Sequence, residues 1–280
     1  MTTIAYLGPE GTFSHLLARK RFGVDFQGHS SPDLSAAFEF LKNTPDSQAL
    51  IPIENSSGGT IYDSADLLIK NAGQVFIQED LTLDVRIALL GHKNKNPLRI
   101  HSHFAPLHHH RSWLEKNYPQ AQLLTASSTA EAARQAAEDP EAAALAAPDA
   151  GELYGLDVLL FPIRPEAINV TRFYIIGTRP CPDILLQDTS KRCKTAFIFS
   201  LKNETGSLHA FLGPLARRRV NLRMIVSRPL VGHPETYVFF VEIEGRSSET
   251  NVSEAIAEAK TYCNTFTLLG SFPGNERFAS

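Results

Sequence analysis

The feature that most constrains this sequence is a repeated unit: a short apolar run, a turn of Gly, Pro, Ser or Asn, then apolar residues at helical spacing. Ile4, Ala5, Tyr6 and Leu7 form the first run and enter Gly8-Pro9-Glu10-Gly11-Thr12, which continues neither regular structure. Phe13, Leu16, Leu17 and Phe22 follow at helical spacing, with Thr12 and Ser14 as candidate caps. A helix N-terminus at that point suits an anion. Residues 34–42 predict a second helix, residues 49–53 a buried strand ending in a polar loop, and residues 62–72 a third helix. Further along come a strand over 84–91, a strand at 99–102, a helix over 106–117 and a strand at 122–125. Ser128 and Glu131 have capping-box spacing at the head of an Ala-rich helix. Residues 142–146 are strand-like in position but ambiguous in composition, because alanine favours helix. Residues 172–177 predict a strand. Alternation of this kind predicts parallel sheets in two lobes, with a ligand cleft at the carboxyl ends of the strands.

The pattern changes beyond residues 180–193, whose prolines and polar residues predict a linker. A strand at 195–201, a helix at 206–219, strands at 221–226 and 235–243, a helix at 252–263 and a strand at 266–272 then follow. That order, βαββαβ, is the ferredoxin-like arrangement. An isolated copy leaves sheet edges open, so pairing into a homodimer or homotetramer is expected.

Several function classes are excluded by simple counts. A net charge of -3 and a pI near 6.4 leave no basic face for nucleic acid, and Arg217-Arg218-Arg219 reads as a solvated helix end. The 3 cysteines are too few and too scattered for a disulfide framework or a CxxC metal site. Met1-Thr2-Thr3-Ile4 carries no signal-peptide pattern, and no apolar run approaches the ~18 residues of a membrane span. A soluble cytoplasmic protein is therefore expected. His108, His109 and His110 point about 100° apart on a helix and do not converge on one metal. Neither GxGxxG after a strand nor GxxxxGK[ST] occurs, so nucleotide cofactors have no support.

Three polar loops each follow a buried strand: residues 8–14, residues 52–60 and residues 169–173. Together they offer hydroxyls, amides, backbone N–H groups and one guanidinium, an inventory for an anionic small molecule. Their wording is specific. Tyr-Leu-Gly-Pro-Glu-Gly-Thr-Phe-Ser at 6–14, Pro-Ile-Glu-Asn-Ser at 52–56 and Thr-Arg-Phe at 171–173 resemble, in order and spacing, motifs of the prephenate dehydratase family. Residues 127–133 and 152–156 are similar to further family segments, and the tail resembles an ACT domain.

The resemblance implies a periplasmic-binding-protein-like catalytic region over residues 1–179, with lobe 1 at about 1–80 and 160–179 and lobe 2 at about 81–159. A linker (180–193) and an ACT regulatory domain (194–273) would follow. The implied activity is a lyase reaction, decarboxylative dehydration of prephenate to phenylpyruvate in phenylalanine biosynthesis. Aromatisation drives it, so no cofactor is called for. Thr171, Arg172 and Phe173 would be catalytic, with Thr171 assisting the departing hydroxyl and Arg172 either binding a carboxylate or stiffening its loop. Thr12, Glu54, Asn55, Ser56, Ser102 and His103 would line the substrate site. Gly206, Ser207, Leu208, Ser227 and Arg228 would bind an amino-acid effector, phenylalanine in the family. Some positions depart from the family pattern. Phe104-Ala105 replaces Pro-Gln after His103, and Val170 stands where a second threonine is frequent. Ser207, His209 and Val226 replace family residues of the effector motifs, which predicts weak phenylalanine binding or a different amino acid. Arogenate as substrate, a non-aromatising prephenate decarboxylase, and a non-catalytic amino-acid sensor remain the competing readings.

Overall fold

Ile4, Ala5 and Tyr6 of β1 (Ile4–Leu7) are all buried because helices cover both faces of the sheet around them. The computed structural model describes residues 2–163, 168–187, 192–230, 236–274 and 276–280. Part of the expected linker (188–191), the start of the strand expected from Glu235, and residues 164–167 of the first lobe lie outside them.

On one face, α1 (Phe13–Phe22) packs Leu16 and Leu17 with Ile4 and Tyr6. Thr12 caps α1 by accepting from the His15 N–H at 3.3 Å. The first lobe continues through β2 (Gly28–Ser31), α2 (Leu34–Asn43), β3 (Gln48–Asn55), the short β4 (Gly59–Thr60), α3 (Tyr62–Lys70) and β5 (Phe76–Asp84). On the other face, α2 and α3 bring Phe38, Leu41, Ala65 and Leu68 against Ala5.

The second lobe comprises β6 (Ala88–Gly91), β7 (Arg99–Ser102), α4 (Phe104–His109), α5 (Arg111–Asn117) and β8 (Gln122–Thr125). It ends with α6 (Thr129–Ala137), β9 (Ala142–Ala146), α7 (Asp149–Tyr154) and β10 (Asp157–Leu160). β11 (Val170–Gly177) returns to the first sheet, and α8 (Asp183–Leu186) leads out of it. The C-terminal unit is β12 (Cys193–Lys202), α9 (Ser207–Arg217), β13 (Leu222–Pro229), β14 (Thr236–Glu244), α10 (Thr250–Ala259) and β15 (Thr265–Pro273). A last strand, β16 (Glu276–Ala279), goes back to the first lobe and pairs in parallel with β5.

Among the described residues the strand orders are β16-β5-β11-β3-β1-β2 with β4 on β3, β10-β6-β9-β7-β8, and β13-β14-β12-β15. The two lobe sheets are mixed where wholly parallel sheets were expected. β11 runs antiparallel to β3 and β5, and β6 antiparallel to β9 and β10. These two strands enter their sheets from the opposite lobe, that is from the cleft, so they run against strands that end there. The expected strand over 84–91 is divided for the same reason. Val85, Arg86 and Ile87 cross between sheets, held by Val85 N–H to Asn169 O (2.9 Å) and Ile163 N–H to Ile87 O (2.9 Å).

Other departures have local causes. The helix expected over 106–117 breaks at His110 (φ -118°, ψ 17°), whose ring lies 2.9 Å from Pro106 O. Residues 142–146 form a strand between β6 and β7 with every side chain buried, so burial overrides alanine's helix preference. Their small size admits Ala132, Ala133 and Ala136 of α6. Ser128 accepts from the Glu131 N–H at 3.0 Å, but Glu131 turns to Arg134 and Gln135, so only half of the capping box forms.

The C-terminal sheet has two apolar faces with different coverings. Phe197, Phe199, Val241 and Ile243 pack under α9 and α10. Ala196, Ile198, Val238 and Phe240 pack with Tyr174 and Ile176 of β11 and Ile77 of β5. Gly270 (φ +118°) makes this approach possible, since a Cβ there would stand 3.3 Å from Ile77 O. No helix among the described residues is long and apolar enough to cross a membrane.

Candidate active site

Register places two cross-strand pairs side by side where β3 ends and β11 begins: Asn55 opposite Thr171, and Glu54 opposite Arg172. Neighbouring residues on a strand point to opposite faces. The strand ends therefore offer one polar pair to each side of the sheet.

On one side, Asn55 organises the loops. Its Oδ1 accepts from the backbone N–H of Ser57 (2.9 Å) and Gly58 (3.1 Å), which fixes the amide so that Nδ2 points away from that loop. Nδ2 then donates to Thr171 Oγ1 (2.8 Å) and to Asn169 Oδ1 (2.8 Å). The Thr171 oxygen is an acceptor in this bond, so its own proton stays available to a ligand. Ser56 locks the same corner: its hydroxyl donates to Ile168 O (2.9 Å) and accepts from the Val170 N–H (2.9 Å).

The other expected hydroxyls serve the scaffold. Thr12 Oγ1 donates to Leu7 O (2.9 Å) as well as capping α1, and Ser102 Oγ, fully buried, donates to Leu145 O (2.7 Å). His103 is exposed and caps α4, accepting from the Ala105 N–H at 3.4 Å. Phe173 is buried in the core shared by α1 and the second lobe. Thus Asn55, Ser56, Asn169 and Thr171 come together, while no hydrogen bond joins Thr12, Ser102 or His103 to them among the described residues.

The lobes meet beside the α1 turn. Gly11 (φ +85°) is a position where a Cβ would stand 3.2 Å from Leu153 and Tyr154 and 3.5 Å from Ala130. Tyr154 donates to Glu10 O (3.0 Å), and Arg19 faces Asp149 at 3.6 Å. His15 accepts from the Gly11 N–H at 3.0 Å through Nδ1, and burial, aided by Arg19, lowers its pKa, which keeps that nitrogen free to accept. A cavity of about 340 Å³ lies here, lined by Gly11, His15, Leu16, Arg19, Asp149, Glu152 and Leu153.

On the other side of the sheet, Arg172 meets carboxylates from three strands. Nη1 donates to Glu54 (2.9 Å), and Nη2 donates to Asp80 (3.0 Å) and Glu242 (2.7 Å). Lys194 bonds Asp80 and lies 3.1 Å from Glu242, and Tyr174 OH donates to Glu242 (2.6 Å). The Asp80 and Glu242 side chains are 0% exposed and Lys194 4%. Burial works against the charges, yet the Asp80 and Glu242 carboxylates raise the Arg172 pKa above its ordinary value. Burial likewise opposes ionisation of Glu242, but Arg172 and Lys194 hold its pKa below the usual glutamate value. Burial, reinforced by Glu242, pushes the Tyr174 phenol well up, so it stays a donor.

Asp80, Tyr174, Lys194 and Glu242 were not singled out from sequence. One signal was present: Val238, Phe240 and Glu242 alternate onto one strand face, so a carboxylate stands in an apolar row.

The expected effector residues lie apart. Gly206 (φ +85°) precedes α9, Ser207 opens it, and Leu208 packs against the helix-side core. Ser227 is exposed on β13, while Arg228 forks Asp66 of α3 (2.6 and 2.7 Å) and lies 5.0 Å from the Tyr62 ring. No hydrogen bond or ion pair links the two segments among the described residues.

Comparison with known proteins follows the same division. A family profile described as prephenate dehydratase matches residues 4–181, and one described as ACT domain matches residues 195–260. The bifunctional chorismate mutase/prephenate dehydratase of Aquifex aeolicus is 33% identical over 96% of this chain and 73% of its own. The Arthrobacter aurescens prephenate dehydratase solved in complex with L-Phe superposes with a TM-score of 0.84, at 28% identity, over 97% of this chain and 89% of that one. GqqA, described as a novel type of quorum quenching acylase, superposes with a TM-score of 0.88, at 25% identity, over 98% of both chains.

The buried cluster predicts a pH signature. Glu242→Gln is expected to lower the unfolding free energy by about 2 kcal/mol near neutral pH, where charged hydrogen bonds are lost. Because the folded-state pKa of Glu242 lies below its ordinary 4.5, this stabilisation is present above 4.5 and lost as pH falls through the folded value. Urea titrations from neutral pH downward are expected to show the two proteins converging on acidification; a gap that stays constant contradicts this account.

Proposed function

Because the chain belongs to the prephenate dehydratase family and carries an ACT domain, we propose that it converts prephenate to phenylpyruvate in the cleft beside Thr171. In that reaction the ring carboxylate leaves as carbon dioxide, and its bonding pair enters the ring. The ring C–O bond breaks, and the hydroxyl departs with a proton as water. Aromatisation supplies the driving force. The protein's tasks are to orient the ring and to stabilise the departing oxygen.

The observation that carries this reading is the direction of the Asn55–Thr171 hydrogen bond. Asn55 donates to the threonine oxygen, so Thr171 donates its proton outward. Donation into that oxygen polarises the O–H and makes it a stronger donor to a developing hydroxide. The Glu54–Arg172 pair beside it supports a stiffening role for Arg172, whose guanidinium is taken up by three carboxylates and is not left to bind a substrate carboxylate. Substrate carboxylates would instead meet backbone N–H groups where the first turns of α1 and α6 approach each other across Gly11 and Ala130.

An acyl-transfer reading, which the description of GqqA raises for that protein, requires a nucleophile hydrogen-bonded to a base. Thr171 meets an amide nitrogen, which takes no proton, so dehydration fits this corner better.

Thr171→Ala is expected to lower kcat for phenylpyruvate formation by roughly 100-fold or more with little change in KM, and Thr171→Ser to keep much of the activity. Phenylpyruvate absorbance in base measures both. Undiminished turnover by Thr171→Ala removes Thr171 from the chemistry, and consumption of arogenate in preference to prephenate moves the substrate assignment.

For the ACT domain we propose an amino-acid effector of aromatic class, since the Arthrobacter aurescens protein is described in complex with L-Phe. Val226 faces the catalytic region and His209 is exposed on α9, so these two of the three departures from the family's effector motifs alter the surroundings of that site. Calorimetric titration with L-phenylalanine is expected to give weak binding, with a Kd nearer millimolar than micromolar, about 4 kcal/mol against about 8. Micromolar binding contradicts this.

A further inference from the structure

Glu242 and Lys194 belong to the C-terminal domain, yet their side chains point out of its sheet and into the first lobe. On β14 the alternation is strict: Phe239, Val241 and Ile243 meet the helices, while Val238, Phe240 and Glu242 meet β11. On β12, Lys194 falls in the same row as Ala196 and Ile198. Both charged residues end on the guanidinium of Arg172 or on Asp80 beside it.

We infer that Glu242 is a positioning residue for the dehydratase site: it holds Arg172, and through Arg172 it fixes the ends of β3 and β11 that present Asn55 and Thr171. This rests on the dehydratase reading given above. The chain of contacts is short. Glu242 accepts from Arg172 at 2.7 and 3.1 Å, Arg172 donates to Glu54 at 2.9 Å, and Glu54 and Arg172 are the immediate sequence neighbours of Asn55 and Thr171. The register between β3 and β11 shifts between Arg172 and Phe173, so regular ladder pairing is interrupted one residue inside this corner. The ion pairs supply a constraint where the ladder is irregular.

Among the described residues, three carboxylates face two cations, and Asp80 Oδ1 has no hydrogen-bond partner. Removing the Glu242 charge leaves two of each sign, so Arg172 can settle toward Asp80 and away from its present position. Glu242→Gln keeps side-chain volume and keeps an oxygen for the Tyr174 hydroxyl, so the fold is retained while the pull on Arg172 is lost. The corner that presents Asn55 and Thr171 is therefore tied through Arg172 to a carboxylate of the ACT-domain sheet.

The test is steady-state kinetics of the full chain with prephenate. Displacement of a reacting group by about 1 Å can cost on the order of 100-fold, so Glu242→Gln is expected to lower kcat roughly 10- to 100-fold with KM nearly unchanged. Glu242→Asp restores the charge and is expected to recover part of the loss. In an Arg172→Gln background, Glu242→Gln is expected to add nothing further. Phe211→Leu, which loosens the helix-side core of the ACT domain far from this cluster, is expected to lower Tm while leaving kcat within about twofold. A wild-type kcat in Glu242→Gln, a loss fully additive with Arg172→Gln, or an equal kcat loss in Phe211→Leu overturns the inference. A wild-type chain that does not turn over prephenate overturns the dehydratase reading, and this inference with it.

Discussion

The joint between the two parts of the molecule is a largely buried cluster of charges: Arg172 and Lys194 against Glu54, Asp80 and Glu242, with the Tyr174 hydroxyl donating into it. Charges taken out of water lose several kcal/mol of solvation each, and their mutual attraction offsets this only when the geometry is kept. Asp80 sits on β5, Arg172 on β11, Lys194 on β12 and Glu242 on β14, so four strands from two sheets are held in one arrangement. The surrounding apolar contacts give area; the ions give position. Glu54 is the member closest to water, with its side chain 41% exposed, and it carries the constraint out to the cleft.

What the cluster positions is a hydrogen-bond direction. Two backbone donors orient Asn55, Asn55 donates to Thr171, and Thr171 is left as a donor to whatever enters the cleft. The other expected hydroxyls donate to backbone oxygens, Thr12 to Leu7 on β1, Ser56 to Ile168 on the loop before β11 and Ser102 to Leu145 on β9. A site that must only bind anions, orient a ring and assist a leaving hydroxyl is well served by such a corner.

Much of this was legible in the residues. The strand–turn–helix alternation follows from local punctuation, as in Gly8-Pro9-Glu10-Gly11-Thr12 and the Thr12 cap, and local signals survive folding. The loops around Asn55 and Thr171 were marked by their polarity after buried runs. What escaped depends on distant partners. β5 was not predicted: Gln78, Glu79 and Asp80 interrupt the apolar pattern, and Gln48, Arg21 and Lys194 meet them where they are buried. The antiparallel course of β11 and β6 is a property of the crossing between lobes, which no single segment encodes. Whether Arg172 binds a substrate carboxylate or stiffens its loop stayed open from sequence, because its carboxylate on Glu242 lies 70 residues away in the chain.

Hydrogen exchange resolved to individual segments tests the central claim directly, because it reports whether a charge on the ACT sheet secures the strand ends at the cleft. In Glu242→Gln, amides at residues 54–57 and 169–173 are expected to exchange faster than in the wild type, by about tenfold for each 1.4 kcal/mol of lost protection, while the distant α6 and β9 remain unchanged. Equal protection at those strand ends in the two proteins would contradict the account.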